Sequence, residues 1–325
     1  MKYNYQEKVS FLVSSCDKYR TAWYPFFSLV KKFWPNHPQN IYLISEIEDY
    51  CDKELNIIVF KDGKGRTWSE LLYSALIRIP TEYVIFSLED FFLVDYVNEQ
   101  EIEKCFNIME SDLLIDEIRF KLSNLEIIRD AEDYKGFKIS PSNTPYRVDT
   151  QVGLWRKERL INLIEASESA WEFERNATIR AMVNSNKILW QWSSDPYNAN
   201  NMMYPYILDS EEHFIRGYSI AWGKWLWSNK KLFEDNGIYG VNFHEMGMLS
   251  EKRAEIRRKY FFRFGKGKAT FIEKIIQWIL GSIYIIDRNY REVRLGGIER
   301  VRIIIRKARK RLVKKCITMQ LGKEK

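Results

Sequence analysis

The chain has 325 residues, a hydrophobic fraction of 46%, an aromatic fraction of 15% and a formal net charge of +7, which allows a sizeable core and excludes a wholly disordered chain. The charge is uneven: residues 251–325 hold 23 Lys/Arg against 7 Asp/Glu, leaving 28 against 37 in residues 1–250. Four scattered cysteines, Cys16, Cys51, Cys105 and Cys316, with no Cys-x-x-Cys and no His at ligand spacing, exclude a structural zinc site and a disulfide framework and point to a reducing cytoplasm.

Residues Met1–Lys8 are polar and show no secretory signal pattern. Val9–Val13 reads as a first strand and Ser14–Tyr19 as the loop leaving it. Trp23, Phe26, Phe27, Val30, Phe33 and Trp34 recur at helical spacing until Pro35. Ile41–Ile44 and Ile57–Phe60 predict two more buried strands, followed by the basic turn Lys61–Arg66. Thr67-Trp-Ser-Glu70 is a capping box that opens a helix ending before Pro80. Tyr83, Val84, Ile85, Phe86 and Leu88 then form an apolar run typical of a strand covered on both faces.

A helix over Glu99–Met109 and a strand over Glu117–Leu122 follow. This alternation predicts an α/β fold with a mostly parallel sheet flanked by helices. Residues 124–143 are polar and irregular. Tyr146–Trp155 reads as a strand leading into a helix over Lys157–Glu165, Ser167–Val183 as a second helix, Ile188–Trp192 as a short strand and Phe214–Gly217 as another. This α+β half is expected to complete a site on the first half. In the tail, Phe271–Ile283 and Ile298–Leu312 predict two amphipathic helices, the second with Arg/Lys on its outer face. The first is too short and too charged to span a bilayer, so the tail is expected to lie on an anionic membrane surface.

Glu89 and Asp90, directly after the apolar run, mark the strand end that needs a partner. Buried carboxylates are costly without a cation, hydrogen bonds or a ligand, and in open α/β sheets ligands lie beyond the carboxyl ends of strands. Adjacent acids on an extended strand point to opposite faces. Both reach one cation or ligand only if the strand ends there. Lys61–Arg66 lacks the Gly-x-x-x-x-Gly-Lys-Ser/Thr pattern of a phosphate loop, which argues against nucleoside triphosphate hydrolysis.

Ser14-Ser-Cys-Asp-Lys-Tyr19, Trp68-Ser69, Leu88-Glu-Asp-Phe-Phe92, Gln151-Val-Gly-Leu-Trp155 and Trp171-Glu-Phe-Glu174 occur in this order. Together they resemble bacterial GT-A-fold glycosyltransferases of surface-polysaccharide biosynthesis, over about residues 8–245. The resemblance implies a nucleotide-sugar-binding half at residues 1–122, an acceptor and catalytic half of the same domain at 123–250, and a separate basic helical tail at 251–325. It implies that Asp17 meets the nucleoside and that Trp68, Gln151 and Trp155 join Glu89 and Asp90 around the donor, although a turn acid and a core tryptophan are equally open for Asp17 and Trp155. Asp90 and Glu89 take the place of the family's acidic motif, which holds Mn2+ or Mg2+ against the diphosphate, with His244 completing the metal shell or facing solvent.

The same resemblance makes Glu174, with Glu172 as second candidate, the base that takes the acceptor proton in an inverting transfer, unless these acids merely suit a helix start. Lying near the first helical turn, Glu174 is expected to be held deprotonated by the helix dipole. The expected partners are a nucleotide sugar, a glycan or lipid-linked acceptor and the anionic inner face of the cell membrane, with no nucleic acid. The competing readings are a nucleotidyl- or phosphotransferase, and a non-enzymatic protein whose tail binds nucleic acid.

Overall fold

The computed structural model describes residues 4–249 apart from 124–128, 143, 145, 184–185, 194–200, 207–218 and 222. The strand expected around Phe214–Gly217 and the tail 251–325 lie outside the described residues. The chain begins with α1 (Tyr5–Lys8) and β1 (Val9–Ser14), and a 3-10 helix over Asp17–Ala22 runs into α2 (Trp23–Phe33). Pro35 follows one residue after the α2 cap at Trp34, where a proline cannot continue a helix. Next come β2 (Ile41–Ser45), β3 (Ile57–Lys61) and α3 (Trp68–Arg78). The expected capping box is present: the Glu70 N–H donates to the Thr67 hydroxyl oxygen at 3.2 Å and the Thr67 N–H donates to the Glu70 carboxylate at 2.7 Å.

The chain continues through β4 (Tyr83–Leu88), α4 (Glu99–Ser111), β5 (Ile115–Ser123), β6 (Arg129–Asp130), β7 (Phe137–Ile139) and β8 (Gly153–Arg156). It then forms α5 (Lys157–Ile161), α6 (Ala170–Ala181), β9 (Lys187–Trp192), the hairpin β10 (Ile220–Ala221) and β11 (Lys224–Trp225), α7 (Trp227–Asp235) and α8 (Phe243–Met246). Among the described residues, nine strands make one sheet in the order β3-β2-β1-β4-β8-β5-β9-β7-β6. All but β7 and β8 run in one direction, so the fold is the expected mostly parallel α/β sheet flanked by helices. Strands of the first 122 residues and of residues 123–250 interleave in this sheet. The two halves are therefore one structural unit.

The apolar strands are explained by a core on each face. Phe11, Val13, Leu43 and Ile85 join the α2 and α4 side, while Leu12, Tyr42, Ile44, Val84 and Phe86 join the α3 and α6 side. Successive side chains on a strand point to opposite faces, so a strand covered on both sides must be apolar throughout.

Three expectations change. β3 is the sheet edge, and its residues are half-buried or exposed. Only Gly153–Arg156 of the strand expected from Tyr146 is a strand: Tyr146 has φ +50°, outside the extended region, and residues 146–152 form a bent loop. The helix expected to reach Glu165 ends at Ile161. Among the described residues, no helix is long and apolar enough to cross a membrane.

Candidate active site

In the strand order β3-β2-β1-β4, the chain builds outward from β1 in one direction and then returns to add β4 on the other side. The carboxyl ends of β1 and β4 therefore flank a switch point, where open α/β sheets place ligands. Ser14 pairs with Leu88 in register, which brings Ser15–Asp17 alongside Glu89 and Asp90. β4 ends at Leu88, so both acids lie beyond the strand. The condition for their acting together is met.

Glu89 and Asp90 are buried, and neither has a Lys or Arg ion-pair partner among the described residues. The Oδ1 of Asp90 is buried with no hydrogen bond among the described residues. Burial pushes the Asp90 carboxyl up to about 7, against the lesser effect of its own backbone N–H. Burial, together with the neighbouring Asp90 charge, raises Glu89 well above the usual carboxylate range. Its charge is eased slightly by the Ser15 hydroxyl, whose oxygen accepts the Trp23 indole N–H at 2.8 Å. Burial and Glu89 also raise the Tyr19 hydroxyl to about 12 and the Cys16 thiol to about 11.

Two dry carboxylates, one with an orphaned oxygen, fit a hard divalent cation that takes one or two carboxylates plus phosphate and water oxygens. Among the described residues, no three His, Cys, Asp or Glu side chains converge to hold a metal. His244 is exposed on α8, its N–H donating to Asn242 Oδ1 at 3.1 Å, so it does not join Glu89 and Asp90 in such a group. The β10–β11 turn approaches the same end: Gly223 has φ +69°, and a Cβ there would lie 2.9 Å from Lys18 Nζ.

Asp17 is buried, and Oδ1 accepts the Ser45 hydroxyl at 2.9 Å and the N–H groups of Glu46, Ile47 and Glu48 at 3.0 to 3.2 Å. Burial raises its pKa, but these bonds outweigh that effect and leave it below the ordinary value. Asp17 thus shapes the loop after β2, and its Oδ2 also lies 3.2 Å from the Ile47 N–H.

The second carboxylate comes from α6. Ser169 caps this helix and Glu172 closes its capping box, its exposed carboxylate accepting the Ser169 N–H at 2.9 Å. Glu174, two residues on, is turned inward and buried. Its Oε1 accepts the Thr150 N–H at 2.9 Å and the Thr150 hydroxyl at 2.7 Å, and Oε2 has no hydrogen-bond partner among the described residues. The helix dipole does not decide its charge. Burial and then the Asp149 charge lift it to about 7, while Thr150 and Arg119 pull the other way.

The two acidic groups share one end of the sheet because β8 runs antiparallel to β4. Gly153 pairs with Phe86, so the residues leading into β8, 149–152, leave the sheet where Glu89 and Asp90 begin. Gln151 is buried there, its Oε1 accepting the Tyr206 hydroxyl at 2.8 Å. Half-buried Trp68 stands between α3 and α6, its ring 5.2 Å from that of Phe173. Trp155 is wholly buried in the core on the α3 and α6 side and offers no ring face to a sugar.

Sequence reasoning passed over Glu117 and Arg119. They lie in β5 as a fully buried pair, with Arg119 Nε and Nη2 each 3.2 Å from the Glu117 carboxylate. Arg119 also reaches Asp149 at 3.1 Å and stacks 4.4 Å from the Trp190 ring. The available signal was two opposite charges at i and i+2, on one strand face between apolar residues.

No protein-family model and no curated protein matches the chain. Solved structures similar to it include S. aureus TarS, at 15% identity, 58% of this chain, 37% of that chain and a TM-score of 0.38. GalNAc-T7 with UDP, GalNAc and Mn2+ overlaps at 12% identity, 58% of this chain, 44% of that chain and a TM-score of 0.40. A CMP:2-keto-3-deoxy-manno-octonic acid synthetase complexed with CTP overlaps at 9% identity, 57% of this chain, 90% of that chain and a TM-score of 0.35. The chain spans less than half the length of the first two. Overlaps of this extent say nothing of donor, reaction or partner, which rest on this chain's own residues.

Proposed function

We propose that the chain is a glycosyltransferase that moves a sugar from a nucleotide-sugar donor to a glycan or lipid-linked acceptor, with inversion at the anomeric carbon, in surface-polysaccharide synthesis. One observation carries the reading. A pair of buried carboxylates, Glu89 and Asp90, with no Lys or Arg ion pair among the described residues lies at the sheet's switch point, and Glu174, raised to about 7, lies at the same sheet end.

In this reading the donor diphosphate lies over the carboxyl ends of β1 and β4, with Glu89 and Asp90 holding a Mn2+ or Mg2+ ion. When bound, that ion offsets the negative charge gathering on the leaving diphosphate. Asp17 fixes the loop that borders the nucleoside, and Trp68 and Gln151 border the sugar. The acceptor hydroxyl donates its hydrogen bond to Glu174 Oε2. As the acceptor oxygen bonds to the anomeric carbon, the bond from that carbon to the diphosphate oxygen breaks. The electron pair leaves with the nucleoside diphosphate, and the proton passes to Glu174. A carboxylate that titrates near 7 is matched to that task, since a base works best with a pKa near the operating pH.

The tail 251–325, with its excess of Lys/Arg, supports attachment to the anionic inner face of a cell membrane, where a lipid-linked acceptor is found. The test of the base is Glu174→Gln. It should lower kcat by at least ~100-fold with donor affinity nearly unchanged. Normal turnover, or a product that keeps the donor's configuration, would refute the assignment.

A further inference from the structure

The loop that presents Thr150 to Glu174 is built around one guanidinium. Arg119 donates to the carbonyl oxygens of Tyr146 at 3.4 Å and Arg147 at 2.7 Å, and pairs with Asp149 Oδ2 at 3.1 Å. Asp149 Oδ1 in turn accepts the Gln151 N–H at 3.0 Å. The guanidinium is itself fixed by Glu117 below and the Trp190 ring beside it. The loop is tied to α6 as well. The Val148 N–H donates to the Thr178 hydroxyl oxygen at 3.1 Å and Arg147 donates to the Ala181 carbonyl at 2.9 Å. These bonds tie the loop on both sides of Thr150, whose N–H and hydroxyl meet one oxygen of Glu174.

We propose that Asp149 and Arg119 are positioning residues for Glu174. By fixing the loop 146–151 they hold Thr150 on Oε1 and leave Oε2 as the atom that takes the acceptor's proton. The inference rests on the reading of Glu174 as the base. Two opposed effects follow from the geometry. Thr150 binds the charged carboxylate and favours it, whereas Asp149 places a like charge one residue away and disfavours it. Arg119, from β5, is the cation that faces both. Glu89 and Asp90 are the acids on the neighbouring strand end. On α6 itself the nearest acid, Glu172, is turned out into its capping box. From α3, the ring of Trp68 packs against Phe173, the residue before Glu174. A carboxylate held rigidly on one oxygen, with its proton affinity raised first by burial and then adjusted by neighbours of opposite effect, keeps a single geometry for proton transfer.

The test separates position from catalysis by reading Glu174 directly. The full chain, carrying carboxyl-13C glutamate, is titrated by NMR, and the Glu174 signal is the one missing from Glu174→Gln. Thr150→Val should raise the Glu174 midpoint and Asp149→Asn should lower it, each by about one pH unit. Arg119→Lys, which keeps the charge but loses the fork, should broaden or split the signal as the loop loosens. In turnover, Thr150→Val and Asp149→Asn should displace the acidic limb of kcat in these same opposite directions, with donor KM unchanged. Midpoints that stay put, or that move together, would overturn the positioning role even if Glu174→Gln is inactive. An active Glu174→Gln would overturn the base itself, whatever the titration shows.

Discussion

Asp90→Asn should stabilise the free protein while abolishing its activity. The unfolded Asp90 carboxyl ionises near 3.8, and burial lifts it to about 7 in the folded chain. Between those values the folded state holds the proton more tightly, so stability falls as pH rises from about 4 to about 7 and stays reduced above. A rise of that size corresponds to on the order of 4 kcal/mol for full ionisation, an upper bound because Glu89 competes for the same proton. Asn keeps the shape, cannot ionise and adds a donor beside Glu89. Urea denaturation of the full chain with a chelator present should therefore find Asp90→Asn more stable than the native chain at pH 8, with the gap closing below pH 4. Added Mn2+ or Mg2+ should stabilise the native chain and leave the variant unmoved. A variant no more stable than the native chain at pH 8 would show that the carboxylate is not held at an electrostatic cost, and the cation-site argument would fall with it.

Gly153→Ala should destabilise by about 1–3 kcal/mol through overpacking, because a Cβ would lie 3.0 Å from Glu117 Oε1 and 3.2 Å from the Ile118 carbonyl; an unchanged melting curve would contradict the tight β5–β8 approach. Glu172→Ala opens the α6 capping box and should lower thermal stability slightly with kcat unchanged. A loss of kcat of about tenfold or more would instead place Glu172 in the chemistry. Removal of residues 251–325 should leave a folded, donor-binding protein that no longer sediments with anionic vesicles, and a truncated protein that still sediments would refute the role given to the tail.

The parts of the fold legible in the sequence are those where local pattern and tertiary environment agree. β1, β2 and β4 announce themselves because both faces are covered, and α3 because Thr67 and Glu70 cap it without outside help. The position of β8 was not legible. Nothing local in Gly153–Arg156 says that it enters between β4 and β5 in the opposite direction, yet that placement brings Thr150 and Glu174 to the end of β4. The sites show the same division. Glu89 and Asp90 stood out as charges where the chain was otherwise apolar. Glu117 and Arg119 drew no notice within the strand, since their burial depends on the loop 146–151 and on Trp190, which come from distant parts of the chain. Trp155 drew notice as an aromatic residue between two acidic motifs, and the inserted strand turns it into the core. Glu174 was legible as an acid at a helix start, but its charge depends on burial under the loop 146–151, which outweighs the helix dipole.

On the proposed reading, a nucleotide sugar binds over β1 and β4 and gives up its sugar. The most direct test is to incubate the full chain with a panel of nucleotide sugars, a glycan or lipid-linked acceptor and Mn2+, and to identify the nucleotide released. One donor should yield nucleoside diphosphate and a glycoside of opposite anomeric configuration, and Asp90→Asn should yield neither. Release of pyrophosphate or nucleoside monophosphate, or no turnover of any nucleotide sugar, would contradict it.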